Sequence, residues 1–237
     1  MTNERTVRRD RVRQATMAEI RATARRLLIK GGSEAVTVNA VAREMGMSGP
    51  ALYRYYPSHD LLVQAVTAGF YEELSTEIRA VRDEFAEATA SRRLLAMCRA
   101  LRGWATEHPA EFGWMFATPS TTLAPESLSH EAALGFEAVF RDEVAARWTT
   151  NPFPVPELSE LDPGLREQLT AYSRSIDGQL PPEAAHVFLV CWIRLYGLLC
   201  MEVFGQVKFA FTDLTPIYED ALREICGALG LDYEAGQ

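Results

Sequence analysis

The sequence predicts an all-α protein with a small N-terminal head, residues 1–60, and a larger body, residues 61–237. Apolar residues recur at helical spacing along nearly the whole chain, and no stretch alternates polar and apolar side chains as a half-buried strand would. Glycine or proline stands at the ends of most of these periodic segments. The composition, 48% hydrophobic and 24% charged over 237 residues, is that of a globular protein and excludes a disordered or fibrous chain.

Three helices are predicted in the head. The first is expected from about residue 10 to residue 30, and a glycine pair favours its end because glycine adopts the left-handed conformation. Two short helices follow, each preceded by a hydroxyl side chain that can cap its first turn. Leu52 and Tyr56 are expected to face inward and hold the last helix on the head's core. The residues predicted to cap or end these helices are Gly31, Gly32, Thr37, Gly46, Ser48 and Pro57.

The body is predicted to contain longer helices that are separated by proline-containing segments. The first is capped by Ser58, runs from about His59 to Ala88, and connects the head to the body. Irregular links are expected at residues 118–129 and 151–156, the second with three prolines in six residues. The remaining helices are expected near residues 91–107, 110–117, 126–149, 163–177, 182–205 and 215–229.

Charge is distributed unevenly between head and body. Residues 1–60 carry eleven Lys and Arg against six acidic residues, a net charge of +5, whereas the rest of the chain carries −13. A basic head on an acidic body indicates a polyanion-binding module attached to another function. The alternative is that the arginine-rich segment forms only a solvated surface.

Several classes of protein are disfavoured. The N-terminus lacks the apolar stretch of a signal peptide, and the most apolar segment, residues 187–204, is interrupted by Arg194 and Glu202, so we expect a cytoplasmic protein with no membrane span. No phosphate-binding glycine loop, nucleophile elbow or metal-ligand spacing occurs, which predicts no enzyme activity, no cofactor and no metal. Reduced core thiols are expected, with a disulfide or metal site as the alternative, for Cys98, Cys191, Cys200 and Cys226.

Residues 37–60 have the pattern of a helix-turn-helix, two short helices separated by a glycine-containing turn. In such a pair the first helix crosses the DNA backbone and the second enters the major groove. The second helix begins Ser-Gly-Pro-Ala, without a bulky side chain to hold it away from the bases, and Tyr53, Arg54 and Tyr55 then supply hydrogen-bond donors. Because such helix pairs are common, a sensor or scaffold whose head docks a protein remains the alternative.

The stretch from Thr37 to Leu62 closely resembles the DNA-binding signature of TetR-family transcriptional regulators. The resemblance covers about residues 11–66, and its core is the Gly-x-Ser-x-x-x-Leu-Tyr pattern of residues 46–53 placed before a long helix. It implies a homodimeric all-α repressor with a helix-turn-helix head and a ligand-gated body.

The resemblance also implies individual DNA contacts. Thr37 and Asn39 lie where the family's first short helix touches the backbone or a groove edge, and His59 stands where the family usually has a phosphate-binding lysine. A neutral imidazole there donates one hydrogen bond but lacks the full charge of lysine. The recognition-helix positions carried over are Ser48, Gly49, Pro50, Ala51, Tyr53, Arg54 and Tyr55.

The helix near residues 182–205 is apolar on nearly every side, so it is expected to be buried all round. A body of this size rarely encloses one helix completely, so this helix and the last one are predicted to form a twofold dimer interface; a purely intramolecular core is the alternative. The segment from Trp192 to Gly205 also resembles the body of a Trp-His-Gly subgroup of the family, with Tyr196 in place of the histidine. The predicted interface residues are Trp192, Leu195, Leu198, Leu199, Ile217, Leu222 and Ile225.

Aromatic and methionine side chains are concentrated between residues 97 and 148. They are more numerous than the packing of narrow helices requires. Small-molecule sites are mostly apolar clefts, so an aromatic or lipophilic effector is predicted, although any one of these residues is more often plain core. The predicted effector-binding residues are Met97, Trp104, Trp114, Phe116, Phe136, Phe140, Trp148 and Tyr172. Together these features predict a repressor that binds a palindromic double-stranded DNA operator as a homodimer and is released by a small-molecule effector.

Overall fold

The computed structural model describes residues 2–117 and 126–236, and all regular structure within them is helical, which confirms the predicted all-α class. Part of the predicted link at residues 118–129 lies outside the described residues. The α-helices are α1 (Thr2–Gly31), α2 (Val38–Glu44), α3 (Gly49–Tyr53), α4 (His59–Glu84), α5 (Ala90–Glu107), α6 (Pro109–Ala117), α7 (Leu128–Thr150), α8 (Pro163–Ser175), α9 (Pro182–Val203) and α10 (Thr215–Ala228).

The predicted caps around the head helices are confirmed. The hydroxyls of Thr37 and Ser58 accept hydrogen bonds from the N–H groups of Ala40 and Leu61, both at 3.1 Å. The hydroxyl of Ser48 accepts from Ala51 N at 3.4 Å. These bonds satisfy backbone donors that a first helical turn otherwise leaves unpaired, which explains why the helices begin where the sequence predicts.

Two helix boundaries differ from the prediction. Helix α1 begins at Thr2, eight residues before the expected start, because an arginine-rich segment continues the helix without needing to pack against a core. Helix α4 ends at Glu84 rather than near Ala88. The hydroxyl of Thr89 accepts from Arg92 N at 3.1 Å and caps α5, so the chain has to leave the helix before residue 89.

The chain forms two compact units, the first from Met1–Glu73 with His108–Leu134, and the second from Leu74–Glu107 with Gly135–Gln237. This division differs from the predicted one at residue 60, because the start of α4 and all of α6 belong to the unit that holds the helix-turn-helix. In the first unit, Ile20 and Leu28 of α1 are buried together with Val41 of α2 and Leu52 of α3. Burial of these apolar side chains fixes the two short helices on α1.

In the second unit, α5 packs against α9 and α10. Its Trp104 is almost fully buried, and the buried Tyr218 of α10 donates its hydroxyl to the carbonyl of Cys98 at 2.5 Å. Arg102 forms two hydrogen bonds with the carboxylate of Glu202 on α9, at 2.7 and 2.8 Å. The four cysteines are free thiols, and burial raises the pKa of Cys191 to about 11.

Candidate nucleic-acid interface and effector region

Helix α3 presents polar side chains outward from a well-anchored backbone. Leu52 is fully buried and Tyr56 is 3% exposed, so both face inward as predicted. Tyr53 on the same helix is 46% exposed, and Arg54, its C-cap, is also exposed. A five-residue helix is too short to be stable by itself, so these buried contacts are what hold the exposed residues in place.

The first turn of α3 is narrow and lies close to α2. A Cβ atom added to Gly49 would stand 3.4 Å from Oδ1 of Asn39, so the two predicted contact residues are neighbours. Pro50 occupies the first turn, where its missing N–H leaves no helical bond unmade. The first turn of α3 therefore presents only small side chains to a binding partner.

Arg13 of α1 binds the C-terminal end of α3, a contact that the sequence analysis missed. Its Nη1 and Nη2 both donate to the carbonyl oxygen of Arg54 at 3.3 Å. Its guanidinium also lies 5.3 Å from the ring centroid of Tyr55, within cation–π range. The basic run in the sequence was the available signal, but the two partners are 41 residues apart.

His59 at the start of α4 is tied to the backbone of the head. Its Nε2 lies 2.8 Å from the carbonyl oxygen of Val36 and must carry the proton, since a carbonyl can only accept. A phosphate could therefore be met only through Nδ1 of a protonated ring. We therefore expect the predicted contact between His59 and a phosphate to be weaker than the contact that a lysine would make.

An ion network with one buried carboxylate joins three helices of the first unit. Arg25 of α1 donates from Nε to Oε1 of Glu111 on α6 at 2.7 Å, and from Nη1 to Oε2 of Glu73 on α4 at 2.7 Å. The side chain of Glu111 is 3% exposed, whereas that of Arg25 is 27% exposed. A buried carboxylate requires such a partner because an unpaired charge in the interior is very unfavourable.

Two of the predicted effector residues, Trp114 and Phe116 of α6, lie in the first unit. Nε1 of Trp114 donates to the hydroxyl of Thr67 at 2.8 Å, and Trp114 lines a cleft of about 590 Å³. The rings of Phe116 and Phe112 contact each other at a tilt of 41°, with 4.4 Å between their centroids. The edge of the Phe116 ring also meets Tyr71, whose pKa burial raises to about 12.

Five aromatic rings of α7 and α9 pack together in the second unit. The centroids of Phe136 and Phe140 are 5.7 Å apart, and both rings contact Trp192, at 5.7 and 5.4 Å. Phe188 and Tyr196 extend the cluster along α9, 5.9 and 4.6 Å from Trp192. Two predicted effector residues thus share a cluster with Trp192, which was expected at the dimer interface but packs within its own chain.

None of the clefts described among residues 2–117 and 126–236 brings the remaining predicted effector residues together. Met97 and Trp104 are buried in α5. Trp148 lies twelve residues after Phe136, about 18 Å along α7, and makes an edge-to-face contact with Phe153, with 4.9 Å between the ring centroids. Its ring contacts Phe153 in the following loop, and its role in effector binding stays a prediction.

Tyr172 is committed to a buried polar cluster. Its hydroxyl donates to Oε1 of Glu137 at 2.5 Å, and Nη1 of Arg141 donates to Oε2 of the same carboxylate at 2.7 Å. Burial raises the pKa of Glu137, while the Tyr172 hydrogen bond and the Arg141 charge act in the opposite direction. Burial and the bond to Glu137 raise the pKa of Tyr172. The Tyr172 hydroxyl therefore already has a partner within the chain.

A small apolar cleft of about 30 Å³ adjoins the aromatic cluster, with walls from α5, α7, α9 and α10. Phe140 is the predicted effector residue that lines it, together with Trp192 and Leu195. Drug-sized ligands occupy roughly 300–1,000 Å³, so the cleft has to widen before it can hold one.

The predicted dimer interface requires correction. Four of its residues are buried in the core of their own chain and present nothing to a partner, namely Leu195, Leu199, Leu222 and Ile225. One face of α9 is open in the single chain, and the burial of this face against a second subunit stays a prediction. Leu198 and Ile217 are half-buried and remain candidates.

The open face of α9 forms an apolar stripe, Val190, Ile193, Gly197, Met201 and Phe204, at steps of three and four residues. Ile193 is 69% exposed, the highest value in the stripe. Nothing lies within 4 Å of a Cβ atom added to Gly197, so another helix could approach closely there. This apolar stripe, rather than the buried residues, has the spacing of a helix–helix interface.

Comparison with known proteins gives matches over both parts of the chain. A family model described as "Bacterial regulatory proteins, tetR family" matches residues 20–66, and one described as "Tetracyclin repressor-like, C-terminal domain" matches residues 94–225, more than half of the chain. HTH-type transcriptional regulator Rv1816 of Mycobacterium tuberculosis (strain H37Rv) is 29% identical over 207 residues, which cover 84% of this chain and 85% of the relative.

Solved structures with this fold include the regulatory protein SCO4313, which is 29% identical with a TM-score of 0.69, covering 92% of this chain and 98% of that one. RolR, solved in complex with the ligand resorcinol, has a TM-score of 0.59 at 14% identity, covering 93% of this chain and 94% of its own, and shows the fold alone. Since the helix-turn-helix and the body each match a model of the same family, the chain belongs to the TetR family of transcriptional regulators.

Proposed function

We propose that this protein is a cytoplasmic, ligand-responsive repressor that binds a palindromic operator as a homodimer. The observation that carries the proposal is the anchored α3, which presents the exposed Tyr53 and Arg54 behind a narrow first turn. The head around it has a net charge of +5, which attracts the phosphate backbone before any base is read.

The proposed homodimer follows from the size of the reading element. One five-residue helix contacts too few base pairs to select a site, whereas two helices related by a twofold axis read half-sites about 34–36 Å apart. The apolar stripe of α9 supports this arrangement because a soluble chain rarely leaves such a row of side chains in water.

An aromatic or lipophilic effector is proposed to bind in the second unit, between the rings of α7 and α9. Phe136, Phe140 and Trp192 offer ring faces there, and widening the adjoining cleft would admit a small molecule. Helix α4 supports coupling to the head because one continuous helix supplies residues 59–73 to the first unit and 74–84 to the second. Linkage then requires that effector weaken operator binding by the same factor by which operator weakens effector binding. The resemblance to the Trp-His-Gly subgroup, with Tyr196 at the histidine position, stays a prediction.

Selection of bound sequences from random DNA is the experiment that tests the function. We expect a twofold-symmetric site, and its affinity should fall steeply as salt rises because bound phosphates release counterions. A head that docks a protein would enrich no sequence and would show no such salt dependence, and that outcome would remove the DNA-binding proposal.

Replacing Arg54 by alanine should weaken binding to the selected operator by about 1–3 kcal/mol if the guanidinium reads a base. The fold should remain intact, because the Arg54 side chain is exposed and Arg13 binds the backbone carbonyl of Arg54, which an alanine retains. Gel-shift titration at fixed salt measures the change, with Arg174→Ala on α8 as a control that removes one exposed charge from the second unit. An Arg54→Ala midpoint equal to that of the wild type would exclude Arg54 from the interface.

A further inference from the structure

The N-terminal part of α1 has no role in the core of the first unit. Residues 6–15 are all exposed, and the first fully buried side chain of the helix is Ile20. Residues 6–12, here called the basic arm, contain three arginines and one acidic residue. Packing against the core therefore does not explain why this segment is positively charged.

The arginines of the basic arm are available for an external anion. Among the side chains of residues 6–117 and 126–236, no acidic group forms an ion pair with Arg8, Arg9 or Arg11. Other arginines of the chain, such as Arg25 and Arg102, bind carboxylates at 2.7–2.8 Å. The basic arm is thus a cluster of exposed guanidinium groups without such partners.

The position of the basic arm relative to α3 is fixed by Arg13. Since Arg13 bonds the carbonyl of Arg54 and lies over Tyr55, the basic arm starts beside the C-terminal end of α3. When the N-terminal half of a recognition helix enters a major groove, its other end lies near the groove edge, where the phosphates are. Arg9 precedes Arg13 by one helical turn and so lies on the same face, about 6 Å further along the axis.

We propose that the basic arm binds DNA phosphates flanking each half-site, so that each head contacts a longer stretch of duplex than α3 alone would reach. The inference rests on the proposed function, since it requires α3 to be in the groove. The contact is to the backbone, because exposed arginines without supporting packing place charge but do not fix the geometry that base reading requires. The basic arm should strengthen operator binding to the same extent whatever the flanking sequence.

The double variant Arg8→Gln/Arg9→Gln tests the proposal in the full-length protein. Each lost phosphate contact should reduce the slope of log affinity against log salt by about 0.9, so two arginines on two heads should reduce it by up to about 3.6. Arg92→Gln/Arg174→Gln removes the same charge from exposed positions of the second unit and should leave the slope unchanged. Circular dichroism and melting should show both variants folded.

A second measurement compares duplexes that end at the half-sites with duplexes extended by random flanks. The wild type should bind the extended duplex more tightly and with a steeper salt slope, whereas Arg8→Gln/Arg9→Gln, which keeps Arg11, should lose most of this difference. A wild-type slope and wild-type flank dependence in the double variant would overturn the basic-arm proposal while leaving operator binding by α3 intact. Absence of salt-dependent duplex binding by the wild type would overturn the proposed function and the basic arm together.

Discussion

Replacing Ile193 by aspartate is expected to convert the proposed homodimer into folded monomers and to weaken operator binding by about 100-fold or more, since two linked heads gain much of their affinity from acting together. Ile193 is 69% exposed in the single chain, so an aspartate there is solvated and the subunit keeps its fold. In the dimer, the same carboxylate would be buried without a partner, and its copy would lie close to it near the twofold axis.

Sedimentation or light scattering at micromolar concentration measures the oligomeric state of Ile193→Asp. Ala171→Asp on α8 places the same charge at an exposed helical position off the apolar stripe and should remain dimeric. Leu199→Asp should instead unfold the subunit, because Leu199 is fully buried. A dimer that survives Ile193→Asp would place the interface on another surface.

Replacing Arg25 by methionine is expected to lower the free energy of unfolding by about 3 kcal/mol, at the low end for breaking a buried ion pair because Arg25 is partly hydrated. The methionine keeps the apolar length of the side chain but leaves the Glu111 carboxylate, which is 3% exposed, without its guanidinium partner. Urea denaturation followed by far-ultraviolet circular dichroism measures the loss.

A double-mutant cycle separates the charge from the packing. Glu111→Gln alone should have a small effect, because Arg25 retains Glu73, and Arg25→Met/Glu111→Gln should recover most of the stability lost in Arg25→Met. If the double variant is as unstable as Arg25→Met, the lost stability comes from the arginine stem or from Glu73, and the buried Glu111 carboxylate is not the cause.

The helices and their starts could be predicted because the chemistry that sets them is local. A hydroxyl three residues before a backbone N–H caps the helix at Thr37, Ser48 and Ser58, and each bond closes within a few residues of sequence. The inward Leu52 and outward Tyr53 follow equally from helical periodicity. This local information is enough to place the recognition helix.

The contacts that could not be predicted join distant residues or depend on the direction in which a helix packs. Arg13 and Arg25 contact partners that are 41 and 86 residues away in the sequence. Several arginines in the head have the same local pattern, so the sequence does not show which of them makes such a contact. Along α9, apolar residues occupy every side, so periodicity cannot distinguish Leu195, which is buried, from Ile193, which is open. The contact between Trp148 and Phe153 could not be predicted for the same reason, since an aromatic residue on α7 is equally compatible with a cleft or a loop.

The helical start of α1 also changes the thermodynamics of contacts with a polyanion. An unstructured N-terminal tail would lose roughly 1–2 kcal/mol of backbone conformational entropy for each residue that it orders on binding. Residues 6–12 are already helical before any ligand arrives, as a continuation of a helix whose later turns are packed. The helix is therefore already nucleated by its packed turns. Extending it by residues 6–12 is less unfavourable than nucleating a new helix. A pre-ordered segment of this kind retains more of each electrostatic contact as net affinity than a disordered tail of the same sequence would.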